Sequence, residues 1–150
     1  PLYFNEEVLI DFYFNLHHIL DEIHLALGFS KNTKQQFQEA WVNVESRERI
    51  SVPHTHPSAD LICVYYPYVE QGSGNLEFIN PNSSVEYVFP QTRDNTIIDT
   101  HNLFNSKLWQ VVPENDLLVV FPSWLHHYVR QGNPNTTRMS IALNSKTVRI

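Results

Sequence analysis

The chain has 150 residues, enough for one domain with a real core and too few for two ordinary ones, so 1–150 reads as a single unit. Hydrophobic residues make up 42% and charged residues 17%, the opposite of a disordered composition, and a formal charge of -6 leaves no positive excess for nonspecific nucleic-acid binding. The longest apolar runs, 61–66 and 117–121, are far shorter than the roughly 18 residues of a membrane span.

Over 6–27 apolar residues recur at Leu9, Phe12, Leu16, Ile19, Leu20, Ile23 and Leu27, the spacing of one stripe on a helix. Asn5 is placed to cap its start and Gly28 to end it, while Glu6 and Glu7 suit the positive end of the helix dipole. His17, His18 and His24 on this helix read as surface or boundary side chains. The polar stretch 30–39 reads as a short helical turn or a loop, which makes 1–39 helical support. Beyond Trp41, β-branched and aromatic runs alternate with Pro, Gly, Asn and Ser, predicting strands at 40–45, 61–68, 75–79, 85–89, 109–112, 117–121, 127–130 and 139–143. One helix followed by such strands predicts a mainly β fold, a sandwich or jelly-roll barrel over 40–150. Cys63 is the single cysteine and has no internal disulfide partner, and acidic Glu6 and Glu7 stand where a secretory signal would be basic. A reducing cytoplasm is the expected location.

Two short segments hold four of the eight histidines. In His54-Thr55-His56 an extended backbone points both imidazoles the same way, a spacing that suits a metal, and Pro53 and Pro57 bracket the pair as a strand runs into a loop. In Phe121-Pro122-Ser123-Trp124-Leu125-His126-His127 an apolar strand ends in a turn and a new strand begins with adjacent histidines, of which only one can point inward. A jelly roll brings these two segments together. Along Arg138-Met139-Ser140-Ile141-Ala142-Leu143-Asn144, alternation places Met139, Ile141 and Leu143 on one face and Arg138, Ser140, Ala142 and Asn144 on the other. An arginine on the inner face requires an anionic partner, and its planar fork suits a carboxylate.

Taken in order, His54-x-His56, Gly74-Asn75-Leu76-Glu77-Phe78, the stretch from Phe121 to Val129, and Arg138-x-Ser140-x-x-x-Asn144 resemble a family of 2-oxoglutarate- and iron(II)-dependent oxygenases found in phages and marine bacteria. The resemblance covers 41–144 and implies a double-stranded β-helix, a cupin-like distorted jelly roll, with the N-terminal helix packed on one sheet. It implies Fe(II) held by His54, His56 and His127, and 2-oxoglutarate held at its far carboxylate by Arg138 and Ser140. Tyr66 matches a tyrosine that often reaches the same carboxylate, with Tyr65 a rival by strand parity. The implied reaction is hydroxylation with release of succinate and CO2. The family pattern has a carboxylate where His56 stands, so the ion would keep its full +2 charge unless Asp60 folds back to supply the missing acid.

A cupin-type metalloenzyme that does not use 2-oxoglutarate is the nearest alternative, since His54-x-His56 with Asp60 and Pro122 with His127 approximate its two motifs. Asp116 and Trp124 stand where cupin glycines would, Gln131 where an asparagine would, and only the oxygenase needs a buried arginine opposite the metal. A metal-free jelly-roll binding or structural module is the third reading. Trp109, Trp124 and Tyr128 are placed to line the barrel mouth, and Arg93, His101 and Asn102 lie in a polar segment suited to a lid. The expected substrate is a small molecule or a protein side chain, with a homodimer allowed.

Overall fold

Helix α1 (Glu6–Ala26) forms where the apolar stripe demands it. It ends in a Schellman motif: the Phe29 amide donates to the His24 carbonyl at 3.2 Å and the Gly28 amide to Leu25 at 3.0 Å. Gly28 sits at φ 84°, a left-handed conformation that glycine adopts without strain. The computed structural model describes residues 6–45, 51–82, 84, 99, 100, 102 and 104–150, so Asn5 and the expected strand at 85–89 lie outside the described residues.

Among the described residues seven strands follow: β1 (Thr33–Glu45), β2 (Leu61–Val69), β3 (Leu76–Ile79), β4 (Leu108–Val111), β5 (Leu117–Pro122), β6 (His127–Val129) and β7 (Arg138–Arg149). They form a four-stranded sheet in the order β1-β7-β2-β5 and a three-stranded sheet in the order β4-β3-β6, every pairing antiparallel. The non-sequential order, with the last strand between the first two of its sheet, is the wrapping expected of a jelly roll. Among the described residues no helix is long and apolar enough to cross a membrane.

The four-stranded sheet is covered on its outer face by α1. Leu16 and Leu20 of the helix pack with Leu61, Cys63 and Leu143, flanked by Phe12, Ile23, Phe37 and Ile141. Two residues of the predicted stripe, Ile19 and Leu27, are instead 40% and 55% exposed, because the helix meets the sheet along a narrower seam than the apolar spacing allows. Between the sheets Ile62 and Phe121 meet Leu76, Phe78 and Leu125 in a second apolar cluster. The strand period of two explains how β2 serves both: Leu61 and Cys63 face the helix, Ile62 faces the opposite sheet.

Two expectations are corrected. Residues 33–39, expected to be a turn or loop, are the first half of β1, paired residue by residue with the far half of β7 from Thr33↔Arg149 to Phe37↔Ser145. Their polar composition carries no strand signal; the partner strand supplies the ladder. His24 is not at the surface but 1% exposed. The Gln35 amide donates to its Nδ1 at 3.0 Å, so its Nε2 carries the proton toward Thr33 Oγ1 at 2.9 Å. Gln35 in turn donates to Thr147 Oγ1 and accepts from the Ser145 hydroxyl, so the buried polar groups between α1, β1 and β7 satisfy one another. His18 does lie at the surface, 3.5 Å from Glu22.

A register irregularity between Phe37 and Glu39 shifts the parity of β1. Phe37 before it packs beneath α1, whereas Trp41, Asn43 and Glu45 after it face the space between the sheets.

Candidate metal centre

The segment 53–57 is held against the turn between β5 and β6 by backbone hydrogen bonds. The His54 and His127 amides donate to each other's carbonyls at 3.0 and 3.1 Å, and the His56 amide donates to Ser123 at 3.0 Å. This isolated bridge places three imidazoles together, with ring centres 4.4 Å apart for His54 and His127, 5.1 Å for His54 and His56, and 5.2 Å for His56 and His127. One nitrogen from each lies within 4.8 Å of the others, a spacing at which a single cation can be shared. Of the adjacent pair, His127 is buried and His126 exposed.

Carbonyl partners fix two of the tautomers. His54 Nδ1 donates to the Val52 carbonyl at 2.7 Å and His127 Nδ1 to the Leu125 carbonyl at 2.9 Å, leaving each Nε2 with its lone pair free. Burial lowers the His127 pKa to about 4, with the neighbouring His54, His56 and His126 adding to the shift and the Leu125 carbonyl opposing it. His56 is lowered as well, by burial first and then by His54. Burial therefore favours the neutral form of His127 and His56, the form that ligates. His56 is stacked on Trp41 at 5.9 Å and 12° between planes. The Asn144 carboxamide lies beside His56 and opposes the lowering of its pKa; the Asn144 amide donates to Glu39 at 3.3 Å, while its Oδ1 is buried without a partner.

The imidazoles open onto a cavity of about 230 Å³ between the sheets, walled by Ile62, Val64, Leu76, Val129 and Ala142 and carrying Arg138, Ser140, Tyr66 and Glu45. Arg138 is 3% exposed, donates through Nη1 to the Gly74 carbonyl at 2.8 Å, and forms an ion pair through Nη2 with Glu45. Its guanidinium lies 5.7 Å from the centre of the Tyr66 ring, and burial pushes the Tyr66 hydroxyl up to about 12, against the pull of Arg138. Arg138 Nε is buried without a partner, a donor without an acceptor at the cavity wall. Gly74 is required beside it: a Cβ there would lie 1.9 Å from the Arg130 carbonyl oxygen.

Three neutral nitrogen donors fit a first-row divalent ion, and an orphaned guanidinium N–H fits the carboxylate of an acid bound beside it. Tyr66 is in the cavity; Tyr65, its rival by parity, is on the other face and donates to Asp116 at 2.8 Å. Asp60 does not fold back to the histidines, because its carboxylate accepts from the Thr147 amide at 2.7 Å. Of the aromatics expected at the mouth, Trp109 packs on Phe78, Trp124 is 58% exposed, and Tyr128 bonds the buried carboxylate of Glu77; none lines the cavity. Arg93 and His101 lie outside the described residues, and the Asn102 carboxamide serves its own turn by accepting from Phe104 at 2.8 Å.

Trp41, Asn43, Glu45 and Ser51 line the cavity without having been singled out from sequence. The available signal was the period of two in Trp41-x-Asn43-x-Glu45 against exposed Val42 and Val44.

An oxidoreductase of the 2OG-Fe(II) oxygenase family from Burkholderia pseudomallei has a similar fold, with a TM-score of 0.58 at 10% identity over 84% of this chain and 50% of that one. This chain thus spans half the length of that structure. No curated protein matches its sequence. Residues 39–144 match the family model described as "Putative 2OG-Fe(II) oxygenase", a group of oxidoreductases named for their dependence on Fe(II) and 2-oxoglutarate. This match covers more than half of the chain and takes in all three histidines, Arg138 and Asn144. The chain belongs to the 2OG-Fe(II) oxygenase family.

Proposed function

We propose that this chain is a 2-oxoglutarate- and Fe(II)-dependent dioxygenase that hydroxylates a small-molecule or protein side-chain substrate, with release of succinate and CO2. The observation that carries the reading is one cavity holding three converging histidines at one end and a buried, incompletely paired arginine on its wall.

Under this reading His54, His56 and His127 hold the iron, and the Val52 and Leu125 carbonyls keep two of the rings in the ligating tautomer. Arg138 and Ser140 orient the distal carboxylate of the oxo acid, with Tyr66 beside them. Iron and the oxo acid together supply the activation of O2 for oxidation of a C–H bond. The protein's share is positional: the apolar walls exclude water, and Trp41 fixes the His56 plane.

The reading is tested by following succinate formed from 2-oxoglutarate in air by Fe(II)-loaded protein. Slow succinate release that disappears in both His127→Ala and Arg138→Ala is the expected result. Release that persists in Arg138→Ala contradicts its role at the carboxylate.

A further inference from the structure

The guanidinium assigned above to an oxo-acid carboxylate already has one. Glu45 closes β1 directly opposite Arg138 in the β1–β7 register, and its carboxylate takes Nη2. Nη1 is committed to the Gly74 carbonyl, so Nε is the donor left over. An arginine recognises a carboxylate best through two parallel N–H groups. On this side chain both edges that offer two, Nε with Nη2 and Nη1 with Nη2, run through Nη2, the nitrogen that Glu45 holds. A second carboxylate that takes either edge in bidentate fashion meets the like charge of Glu45 at Nη2.

Charge gives the same answer. Three neutral imidazoles leave a divalent ion at +2, Arg138 adds one, and Glu45 removes one, so the site offers +2 to an incoming dianion. Removing the Glu45 charge raises this to +3 and frees the guanidinium edge.

We infer that Glu45 is a built-in competitor for the distal carboxylate of the oxo acid, so that binding a 2-oxo dicarboxylic acid displaces Glu45 from Arg138 while binding a 2-oxo monocarboxylic acid does not. Glu45 thereby sets both the affinity for the cosubstrate and its dependence on the second carboxylate. This rests on the proposed cosubstrate reading. The role was hidden in the sequence because Glu45 and Arg138 lie 93 positions apart.

The test is calorimetric titration of Mn(II)-loaded protein with 2-oxoglutarate and, separately, with 2-oxobutanoate, which keeps the chelating end and lacks the distal carboxylate. Wild type, Glu45→Gln and Glu45→Ala are compared, with circular dichroism confirming the fold of each. The expected result is 2-oxoglutarate binding about 30-fold tighter in Glu45→Gln, as freeing a charge-assisted bond implies. Binding of 2-oxobutanoate changes by no more than about threefold, the size of a screened charge effect. Glu45→Ala follows the same pattern. Unchanged or weaker 2-oxoglutarate binding in the variants overturns the inference, and so does equal tightening for both acids. Mn(II) binding with no 2-oxoglutarate binding in any of the proteins overturns the cosubstrate reading itself and the inference with it.

Discussion

The two faces of the four-stranded sheet are built from the same strands and finished to opposite standards. On the outer face, Leu61, Cys63 and Leu143 close against Leu16 and Leu20, and the polar groups buried there, His24, Gln35 and Ser145, find partners in one another. On the inner face, Arg138 Nε and Asn144 Oδ1 are buried without partners, and three imidazoles crowd together. Strand β7 contributes to both, Ile141 and Leu143 outward, Arg138, Ser140 and Ala142 into the cavity. Burial has the same sign on both faces, pushing the Cys63 thiol and the Tyr66 hydroxyl each up to about 12. The consequence differs: a thiol held protonated beneath a helix is inert packing, whereas an unsatisfied donor and an unsatisfied acceptor beside three imidazoles form a surface able to take ligands. The outer face stabilises the fold, and the inner face is where the proposed function puts its ligands.

Mutations that respect this division separate the two roles. The largest effect is expected from His127→Ala, which removes a ligand and lowers divalent-metal affinity by more than about 100-fold, beyond the range seen for outer-sphere partners, in a competition titration with a chromogenic chelator. Leu20→Ala leaves a cavity in the outer cluster and costs about 2–5 kcal/mol in urea unfolding, while metal affinity of the folded fraction is unchanged. A Leu20→Ala protein that stays folded and loses metal would break the comparison.

The pH dependence of stability gives a further test. His127 has its folded pKa lowered to about 4 from 6.5, so the unfolded chain binds the proton more readily in that window. Unfolding free energy of metal-free protein should be fully present above pH 6.5 and fall as pH drops toward 4, by up to about 1.4 kcal/mol per unit. In His127→Ala this component of the slope should be gone. The smallest effect is expected from Asn144→Ala: its carboxamide lies beside His56, which lacks the backbone acceptor that His54 and His127 have, and its loss weakens metal binding by about tenfold with little change in thermal midpoint.

Sequence reasoning reached the inner face more easily than the outer one. The alternation of Arg138, Ser140, Ala142 and Asn144 placed four residues on one face, and two histidine motifs, with the family resemblance choosing His127 over His126, named the three rings that converge. It failed where the structure depends on pairing between distant segments. Nothing local in Thr33-Lys34-Gln35-Gln36-Phe37 favours a strand, and the ladder with β7 creates it. His24 looked like a surface residue on a helix because Gln35, Thr33 and Thr147, which surround it, are brought there by that same ladder. Glu45 was overlooked for a related reason: the irregularity between Phe37 and Glu39 decides which face it occupies, and no composition signal marks a parity shift.

The central claim, that one cavity joins a metal to a carboxylate-binding arginine, is tested most directly by anaerobic titration of metal-stripped protein with Fe(II) and then 2-oxoglutarate. The readout is the visible charge-transfer absorption that 2-oxoglutarate develops on chelating Fe(II). The account predicts that the absorption appears only with both added, is lost in His127→Ala, and requires far more 2-oxoglutarate in Arg138→Ala. Iron binding that ignores 2-oxoglutarate, or an absorption that Arg138→Ala leaves untouched, would contradict it.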